Sequence, residues 1–421
     1  MRILMLAQFY APIVGGEERI VQDLSVELAA RGHSVAVATL WHPGLPDYEV
    51  QAGVRVYRMR SSLQRLPGLF TTAERRHAPA WPDPEVTLAL NQVARQEQPE
   101  LVHAHNWLVY SYLPLKAARG VPLALTLHDY SLVCPQKRLM RGRAACDGPE
   151  LRKCLACGAQ HYGRLRGLPT VLAHASLRGL EQRLVDLFLP ISQAVAERSG
   201  LVPGARPYRV IPNFVPDDLA EQRADHPALA GLPAGDHFLF VGDLSLDKGL
   251  GVLLEAYQRL VQPWPLVLVG RRCADTPAVF PAGVIALGVL PHPAVMEAWR
   301  RSAIALVPST WAEPFGVVAL EAMAAGRPVI ASAAGGLTDV VVNEETGLLV
   351  PPGDRDALAR AMQRLQDNPH LRRRWGLAGR RRLTQFQASQ VVPVVEQTYA
   401  DLVRAFRRAA AKTGQLSATS R

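Results

Sequence analysis

Short runs of aliphatic and β-branched residues alternate with helical patterns along the whole chain, and this alternation restricts the fold most strongly. It is typical of parallel strands covered by helices. The predicted strands of the first half are residues 3–6, 35–40, 54–59, 101–104, 123–127, 187–190 and 209–211. Those of the second half are residues 238–241, 266–269, 284–287, 304–307, 329–331 and 348–350. We therefore expect an α/β protein with two doubly wound sheets, whose ligands bind at the carboxyl ends of the strands.

The length of 421 residues exceeds what one hydrophobic core usually organises. Several prolines and polar residues interrupt the pattern between positions 211 and 237, which suggests a domain boundary there. We predict a first domain over residues 1–212, with a cysteine-rich insertion at about 130–165, and a second over residues 213–390. The last segment, 391–421, is predicted to form a helix that crosses back to the first domain and ends in a frayed tail.

Composition indicates a folded protein, with 48% hydrophobic and 20% charged residues. No uncharged apolar run reaches about 18 residues, so no membrane span is predicted. The amino-terminal apolar run stops at Gln8, which fits a buried strand better than a signal peptide. We expect a cytoplasmic protein, with peripheral contact at the inner face of the membrane left open.

The formal net charge is +10, and much of the basic excess lies in residues 58–76, 137–143 and 164–183. These stretches fit either an anionic membrane or acceptor, or an ordinary solvated surface. No segment interleaves aromatic with basic residues as a base-stacking surface requires, so we expect no nucleic-acid partner.

The most informative segment runs from Glu313 through Pro314, Phe315 and Gly316 to Glu321. It follows a predicted strand and opens a helix near Gly316, where free N–H groups and the positive end of the helix dipole suit a diphosphate. Carboxylates eight positions apart are placed to accept hydrogen bonds from the hydroxyls of two polyols, such as a ribose and a hexose.

This string, with Gly326, Pro328 and Val329 after it, resembles the signature of the retaining glycosyltransferases of family 4, also called group 1 glycosyltransferases. The resemblance implies the GT-B fold, in which two Rossmann-like domains face each other across a cleft, and a nucleotide-diphosphate sugar donor. It also implies that Glu313 contacts the donor sugar and Glu321 the ribose, with Phe315, Gly316 and Val317 beside the donor.

Further donor-binding residues follow from the same resemblance. Lys248, just before a helix, is expected to pair with phosphate, although Asp243 replaces the arginine that the family usually has nearby. Arg271 is a candidate to compensate for that arginine. The other expected donor contacts are Val289 and Leu290, which resemble a base-contacting loop, and Gly15 and Gly16, which open the first helix. The run 331–336, ending in two glycines, resembles another landmark of the family.

His128 follows a predicted strand at the edge where ligands bind, and the resemblance places it beside the reacting sugar. His103 and His105, one strand earlier, are further candidates to line the cleft. We expect His128, Glu313 and Lys248 to be the catalytic residues, because the signature offers no nucleophile and catalysis then depends on positioning and on neutralising the leaving group. The transfer itself is expected to require no cofactor.

Four cysteines, Cys134, Cys146, Cys154 and Cys157, fall within 24 positions, and the last two form a Cys-x-x-Cys pair. Thiolates at such spacing suit a structural zinc ion or an iron–sulfur cluster, with free or redox-active thiols and disulfides as alternatives.

The expected function is retaining transfer of a sugar to a hydroxyl of a glycan, a glycolipid or a small molecule, in polysaccharide or glycoconjugate biosynthesis. The alternatives are a sugar-nucleotide epimerase on the same fold and a zinc-containing binding protein without enzymatic activity. The motif of a P-loop is absent, and no Gly-x-Gly-x-x-Gly follows a predicted strand, which argues against nucleotide hydrolases and dehydrogenases.

Overall fold

The computed structural model describes residues 1–13, 15–65, 77–142 and 144–419. Residues 66–76 and Arg143, which belong to two of the basic stretches singled out in the sequence, lie outside the described residues. Within the described residues the chain forms two large parallel sheets with helices packed on both sides, as the alternating pattern predicts.

The first sheet has the strand order β3-β4-β2-β1-β5-β6-β9. Its strands are β1 (Arg2–Leu6), β2 (Ser34–Leu40), β3 (Tyr48–Gln51), β4 (Val54–Met59), β5 (Leu101–His105), β6 (Leu123–Leu127) and β9 (Leu187–Pro190). A separate hairpin consists of β7 (Met140–Arg141) and β8 (Ala144–Ala145). All pairings within the large sheet are parallel except that of β3, which runs antiparallel along β4.

The second sheet has the strand order β12-β11-β10-β13-β14-β15 and is parallel throughout. Its strands are β10 (Phe238–Val241), β11 (Leu266–Val269), β12 (Val284–Gly288), β13 (Ile304–Val307), β14 (Val329–Ser332) and β15 (Gly347–Val350). In both sheets the order reverses beside the first strand of the domain, and such a reversal opens a crevice at the carboxyl ends of the strands.

The helices connect successive strands. In the first domain they are α1 (Gly16–Ala30), α2 (Pro84–Glu97), α3 (Val109–Arg119), α4 (Leu151–Tyr162), α5 (Arg164–Leu184) and α6 (Gln193–Arg198). In the second they are α7 (Leu250–Tyr257), α8 (His292–Arg301), α9 (Val317–Ala324), α10 (Leu337–Val340), α11 (Arg355–Gln366) and α12 (Pro369–Leu383), followed by α13 (Ala388–Thr419). Helix α1 forms because Ile20, Val21, Leu24 and Leu28 recur on one face and bury it.

Helix α13 returns to the first domain. Its buried residues Val391, Val392, Val395 and Tyr399 belong to the same apolar cluster as strand β1 and helix α1. The chain passes between the domains at two neighbouring places, near Val215 and near Gln387. The two passages are hydrogen-bonded to each other, because Val215 N donates to Phe386 O (2.9 Å) and Ala388 N donates to Val215 O (3.0 Å).

Two details differ from the sequence prediction. Residues 209–211 do not form a strand, although Arg209 N donates to Phe188 O and Ile211 N to Pro190 O, so the segment runs extended along β9. The edge strand β3 was not expected, because its residues are half-buried or exposed and carry no apolar run.

Candidate active site

A cavity of about 600 Å³ lies between the carboxyl ends of the two sheets. The first domain lines it with the loop after β1, the start of α1 and the loop after β6. The second domain lines it with the loops after β10 and β13 and the start of α9. Of the residues predicted for the site, the cavity is lined by Gly15, Gly16, His128, Lys248, Glu313, Phe315, Gly316, Val317 and Glu321. Segments more than 300 positions apart in the chain thus meet at one place.

Glu313 lies in the loop between β13 and α9, where its carboxylate has two partners. Lys248 Nζ is 2.6 Å from Glu313 Oε1, and Ser309 Oγ donates to Glu313 Oε2 at 2.9 Å. Both charged side chains are partly shielded from solvent, with 33% of Lys248 and 14% of Glu313 exposed. The loop therefore presents a fixed carboxylate next to an ammonium group.

The glycine pair Gly335–Gly336 holds the loop of Glu313 in place. Gly336 N donates to Glu313 O at 2.7 Å. A Cβ atom at Gly335 would lie 2.1 Å from Glu313 O, and one at Gly336 would lie 2.4 Å from Pro314 O. Glycines are required here because the two backbones touch, which gives this family landmark a structural role in positioning Glu313.

Glu321, one turn into α9, contacts groups from both domains. His292 Nε2, at the start of α8, is 2.9 Å from Glu321 Oε1, and Arg19 Nη1 of α1 is 3.9 Å from the same oxygen. Asp23, one turn further along α1, also lines the cavity. Burial raises the pKa of Asp23 to about 6, against the lowering effects of Arg19 and His292.

Two helices begin at the cavity. Gly15 and Gly16 open α1, and a Cβ atom at Gly16 would meet no protein atom within 4 Å, so Gly16 borders open space. Gly316 precedes α9 with φ of 101°, in the left-handed region, and a Cβ atom there would lie 2.5 Å from Leu337. The positive ends of two helix dipoles, one from each domain, therefore point at the same space.

The first domain contributes a row of buried histidines. His128 Nε2 is 2.9 Å from His105 Nδ1, and the His105 ring lies against His103 with ring centres 4.1 Å apart. His103 in turn contacts Thr126 (2.7 Å) and the Tyr399 hydroxyl of α13 (2.5 Å). Burial lowers the pKa of His128 to about 4 and that of His103 to about 3, and it lowers the pKa of His105 well below its usual value. All three rings are therefore neutral at physiological pH.

One ring nitrogen of His128 differs from the other in its hydrogen bonding. Nδ1 has no hydrogen-bond partner among the residues that the structure describes. A buried ring nitrogen without a partner is unfavourable unless a ligand supplies one. His128 thus lines the cavity while its unpartnered Nδ1 is itself buried.

Three residues predicted to bind the donor lie elsewhere. Arg271 does not line the cavity; it is 69% exposed and its guanidinium pairs with Asp243 at 2.9 Å. Arg271, which was expected to compensate for the arginine that the family usually has, is therefore paired with Asp243, the residue in the place of that arginine. Val289 is 70% exposed, and Leu290 is buried in the apolar core; neither lines the cavity. Donor contacts by these three residues stay predictions.

The four cysteines lie around the β7–β8 hairpin and α4, and all of their thiols are free. Gln136 Nε2 donates to Cys157 Sγ at 2.9 Å, and Cys134 is buried. Among the described residues no three His, Cys, Asp or Glu side chains are arranged to hold a metal ion. As placed, the thiols form no coordination shell, and the zinc ion or iron–sulfur cluster stays a prediction.

Several site residues were not predicted from the sequence. They are Arg19, Asp23, Asn213, His292 and Trp311, all of which line the cavity. For Arg19 and His292 the sequence carried a usable signal, because each stands within the first turn of a helix that follows a strand. Asn213 and Trp311 stand in irregular segments, where neither spacing nor periodicity singles out a residue.

Two family profiles together match most of the chain. The profile of Glycosyltransferase Family 4 matches residues 14–219, and that of Glycosyl transferases group 1 matches residues 230–382. The D-inositol 3-phosphate glycosyltransferase of Frankia alni is 32% identical over 396 residues, which cover 86% of this chain and 88% of that protein.

Solved structures share the fold of this chain. Sucrose-phosphate synthase from Thermosynechococcus elongatus superposes with a TM-score of 0.73 at 26% identity, covering 96% of this chain and 99% of that one. HepE of Anabaena in complex with UDP-glucose superposes with a TM-score of 0.65 at 19% identity, covering 96% and 99%. Among the described residues, no helix combines the length and apolar character needed to cross a membrane.

Proposed function

Because the chain belongs to the group 1 glycosyltransferases of family 4 and has their GT-B fold, we propose that it transfers a hexose from a nucleotide-diphosphate sugar to a hydroxyl acceptor with retention of the anomeric configuration. One observation carries this proposal. Two helix starts, an ammonium group, two carboxylates and a neutral histidine from both domains meet at one cavity.

The diphosphate of the donor lies between the starts of α1 and α9. Free N–H groups and the dipoles of both helices favour negative charge there, and Lys248 adds a mobile positive charge. In the unliganded protein Lys248 is held by Glu313. When the diphosphate draws Lys248 away, the Glu313 carboxylate becomes free to accept hydrogen bonds from the hydroxyls of the donor sugar.

The nucleoside lies towards Glu321. His292 holds one oxygen of this carboxylate at 2.9 Å, which orients Glu321 towards the vicinal hydroxyls of a ribose. Arg19 reaches the same group from the first domain, so nucleotide binding links the two halves of the molecule.

Transfer follows from this placement. The bond from the anomeric carbon to the phosphate oxygen breaks, the acceptor oxygen bonds to the same face of that carbon, and the departing phosphate oxygen takes the acceptor proton. Lys248 and the helix starts stabilise the charge on the leaving group, and neutral His128 lines the cavity beside the reacting sugar without adding charge. No step depends on a metal at the cysteine cluster.

The acceptor is a glycan, a glycolipid or a small molecule, which places the reaction in polysaccharide or glycoconjugate biosynthesis. Calorimetric titration with UDP, GDP and ADP tests the first part of the proposal, and we expect one of them to bind in the micromolar range, about −8 kcal/mol. Absence of binding by all three favours a non-enzymatic binding protein instead.

Retention is tested separately. Incubation with a panel of sugar nucleotides identifies the donor through its slow hydrolysis, and proton NMR of the first transferred product gives its anomeric configuration. An inverted product would disprove the retaining mechanism, and isomerisation of the nucleotide sugar without transfer would show an epimerase.

A further inference from the structure

Helix α5 (Arg164–Leu184) exposes a stripe of leucines. Four of them, between 38% and 81% exposed, are Leu165, Leu168, Leu172 and Leu180. At 100° per residue the first three lie within about 60° of one another, and Leu180 lies about 60° to the other side of Leu165. Its opposite face, which includes Val171, His174 and Glu181, is buried against the first domain. Isolated exposed leucines are common, but four on one face of one helix mark an interaction surface.

The stripe lies on a strongly basic segment. Between Leu151 and Leu184 the chain has six basic residues, Arg152, Lys153, Arg164, Arg166, Arg178 and Arg183. The same segment has one acidic residue, Glu181. Burial raises the pKa of Glu181 to about 8, and its carboxyl group accepts a hydrogen bond from the Tyr110 hydroxyl at 2.9 Å. Glu181 is thus protonated and hidden. Lys153 of α4 is paired with Asp147, whereas Arg164 and Arg183 of α5 are exposed.

The basic side chains are placed beside the leucines. Arg183 lies at the same angle around α5 as Leu165, and Arg164 and Arg166 lie about 100° to either side of it. Apolar residues on one face with arginines at its edges are the pattern of helices that lie in the interface of an anionic bilayer.

The inner face of α5 contacts the segment that follows His128. His174 Nε2 is 2.8 Å from Ser131 O, three residues after His128. The leucine stripe is on the opposite face of the helix from this contact.

We propose that the outward face of α5, defined by Leu165, Leu168, Leu172, Leu180, Arg164 and Arg183, docks on an anionic lipid bilayer. The charge of the segment selects this occupant, because the exposed Arg164 and Arg183 complement anionic headgroups while the leucines enter the acyl boundary. Resting on the proposed function, this docking gives the acceptor a class: a hydroxyl carried by a lipid.

Vesicle flotation of the full-length protein tests the docking without donor or acceptor. Phosphatidylcholine vesicles containing about 30% phosphatidylglycerol should carry the protein upward, and vesicles of phosphatidylcholine alone should not. Raising the salt concentration from about 0.1 M to 0.5 M should weaken the binding severalfold, because the Debye length falls.

Two double variants separate the contributions. Arg164→Gln with Arg183→Gln should weaken binding roughly 25-fold, at about fivefold for each charge near an anionic surface. Leu165→Asn with Leu172→Asn should weaken it at least about tenfold through lost apolar burial. The matched control is Leu88→Asn, because Leu88 is a 66% exposed leucine on α2 in the same domain, and this variant should bind as the wild type does.

The docking proposal is wrong if the leucine variant binds vesicles unchanged, or if wild-type binding does not depend on the anionic lipid. A dimer in light scattering that the leucine variant converts to a monomer would assign the face to a second copy of the chain instead. Nucleotide titration of the same variants keeps the two proposals apart: unchanged nucleotide binding with lost flotation concerns only the docking face, and absent nucleotide binding in the wild type concerns only the transferase.

Discussion

The two domains place different kinds of polar group at the cavity. The second domain presents charged groups held by partners, Lys248 by Glu313 and Glu321 by His292, each partly shielded from water. The first domain presents His128, His105 and His103, which burial keeps neutral. Charge in the second domain is therefore placed to interact with a ligand, whereas the row of histidines in the first domain is neutral and that domain contributes charge elsewhere, through residues such as Arg19 and Asp23.

This difference fits the charge distribution of an anionic sugar donor. An anionic donor needs cations and helix starts where its diphosphate lies, and it needs hydrogen-bonding groups without added charge where its sugar reacts. A protonated histidine beside the sugar would compete with Lys248 for the phosphate and would repel a developing positive charge at the anomeric carbon. The comparison predicts large effects for charge changes in the second domain and smaller, pH-independent effects at the histidine row of the first.

The largest effect is expected for the charged pair. Lys248→Ala and Glu313→Gln should each lower kcat/KM about 100-fold or more, because each removes a group that stabilises charge or position in the transition state. Steady-state kinetics with the identified donor measure this. Arg300→Ala is the control, because Arg300 pairs with Glu297 within α8 and does not line the cavity. Rates within about threefold of wild type for either variant would remove these residues from the catalytic roles.

His128→Ala should lower kcat about tenfold to 100-fold, which is typical of a positioned polar group. Since the folded pKa of His128 is about 4, the ring is neutral throughout the physiological range. The ratio of the wild-type kcat to that of His128→Ala at saturating donor should therefore stay level from about pH 6 to pH 8 and change only as the pH drops towards 4, whereas Asp23, with a pKa of about 6, titrates in both proteins. A kcat that halves near pH 6.5 and is lost in the variant would show that the charged ring is involved.

Gly16→Ala should raise the donor KM about tenfold while leaving the fold intact. The new methyl group meets no protein atom within 4 Å, so it enters only the space meant for the ligand. In a helix, alanine instead of glycine should stabilise the protein by about 0.5–1 kcal/mol. Gly179→Ala is the matched control, because it also lies in a helix and meets no atom. Equal donor KM values for both variants would mean that the ligand does not approach α1 closely.

The smallest effect is expected for Arg271→Ala, below about threefold in kcat/KM. Its guanidinium is exposed and paired with Asp243 away from the cavity, and exposed pairs contribute about 1 kcal/mol or less. A larger loss would show that Arg271 leaves Asp243 and reaches the donor, which would move a further cation to the cavity.

The sequence predicted the sheets well because their strands are buried. The predicted strands 123–127, 187–190, 238–241, 266–269 and 304–307 coincide with β6, β9, β10, β11 and β13. Burial on both faces leaves a continuous apolar run, which is the clearest strand signal in a sequence. Strand β3 has no such run because it is an exposed edge. Residues 209–211, which are Arg-Val-Ile, run extended beside β9 but do not form a strand.

The site was predictable to the extent that its residues share one loop or one helix. The segment from Glu313 to Glu321 is local in the sequence, so the helix start within it could be recognised from the sequence. The contacts that complete the site are not local: Glu321 meets Arg19 from 302 positions away, and His103 meets Tyr399 from 296 positions away. No spacing rule connects such residues, because the crossing of α13 and the facing of the two domains bring them together.

Because the chain passes twice between the domains, a single cut does not divide the protein into two independent domains. A cut in the first passage, near Val215, leaves a carboxyl-terminal piece that still carries α13, whose valines and Tyr399 would lose the surface that covers them. A cut in the second, near Gln387, removes the residue that closes the histidine row. Neither half is therefore a self-sufficient fragment, and expression of the second domain alone as a nucleotide-binding module requires removal of everything from Ala388 onward.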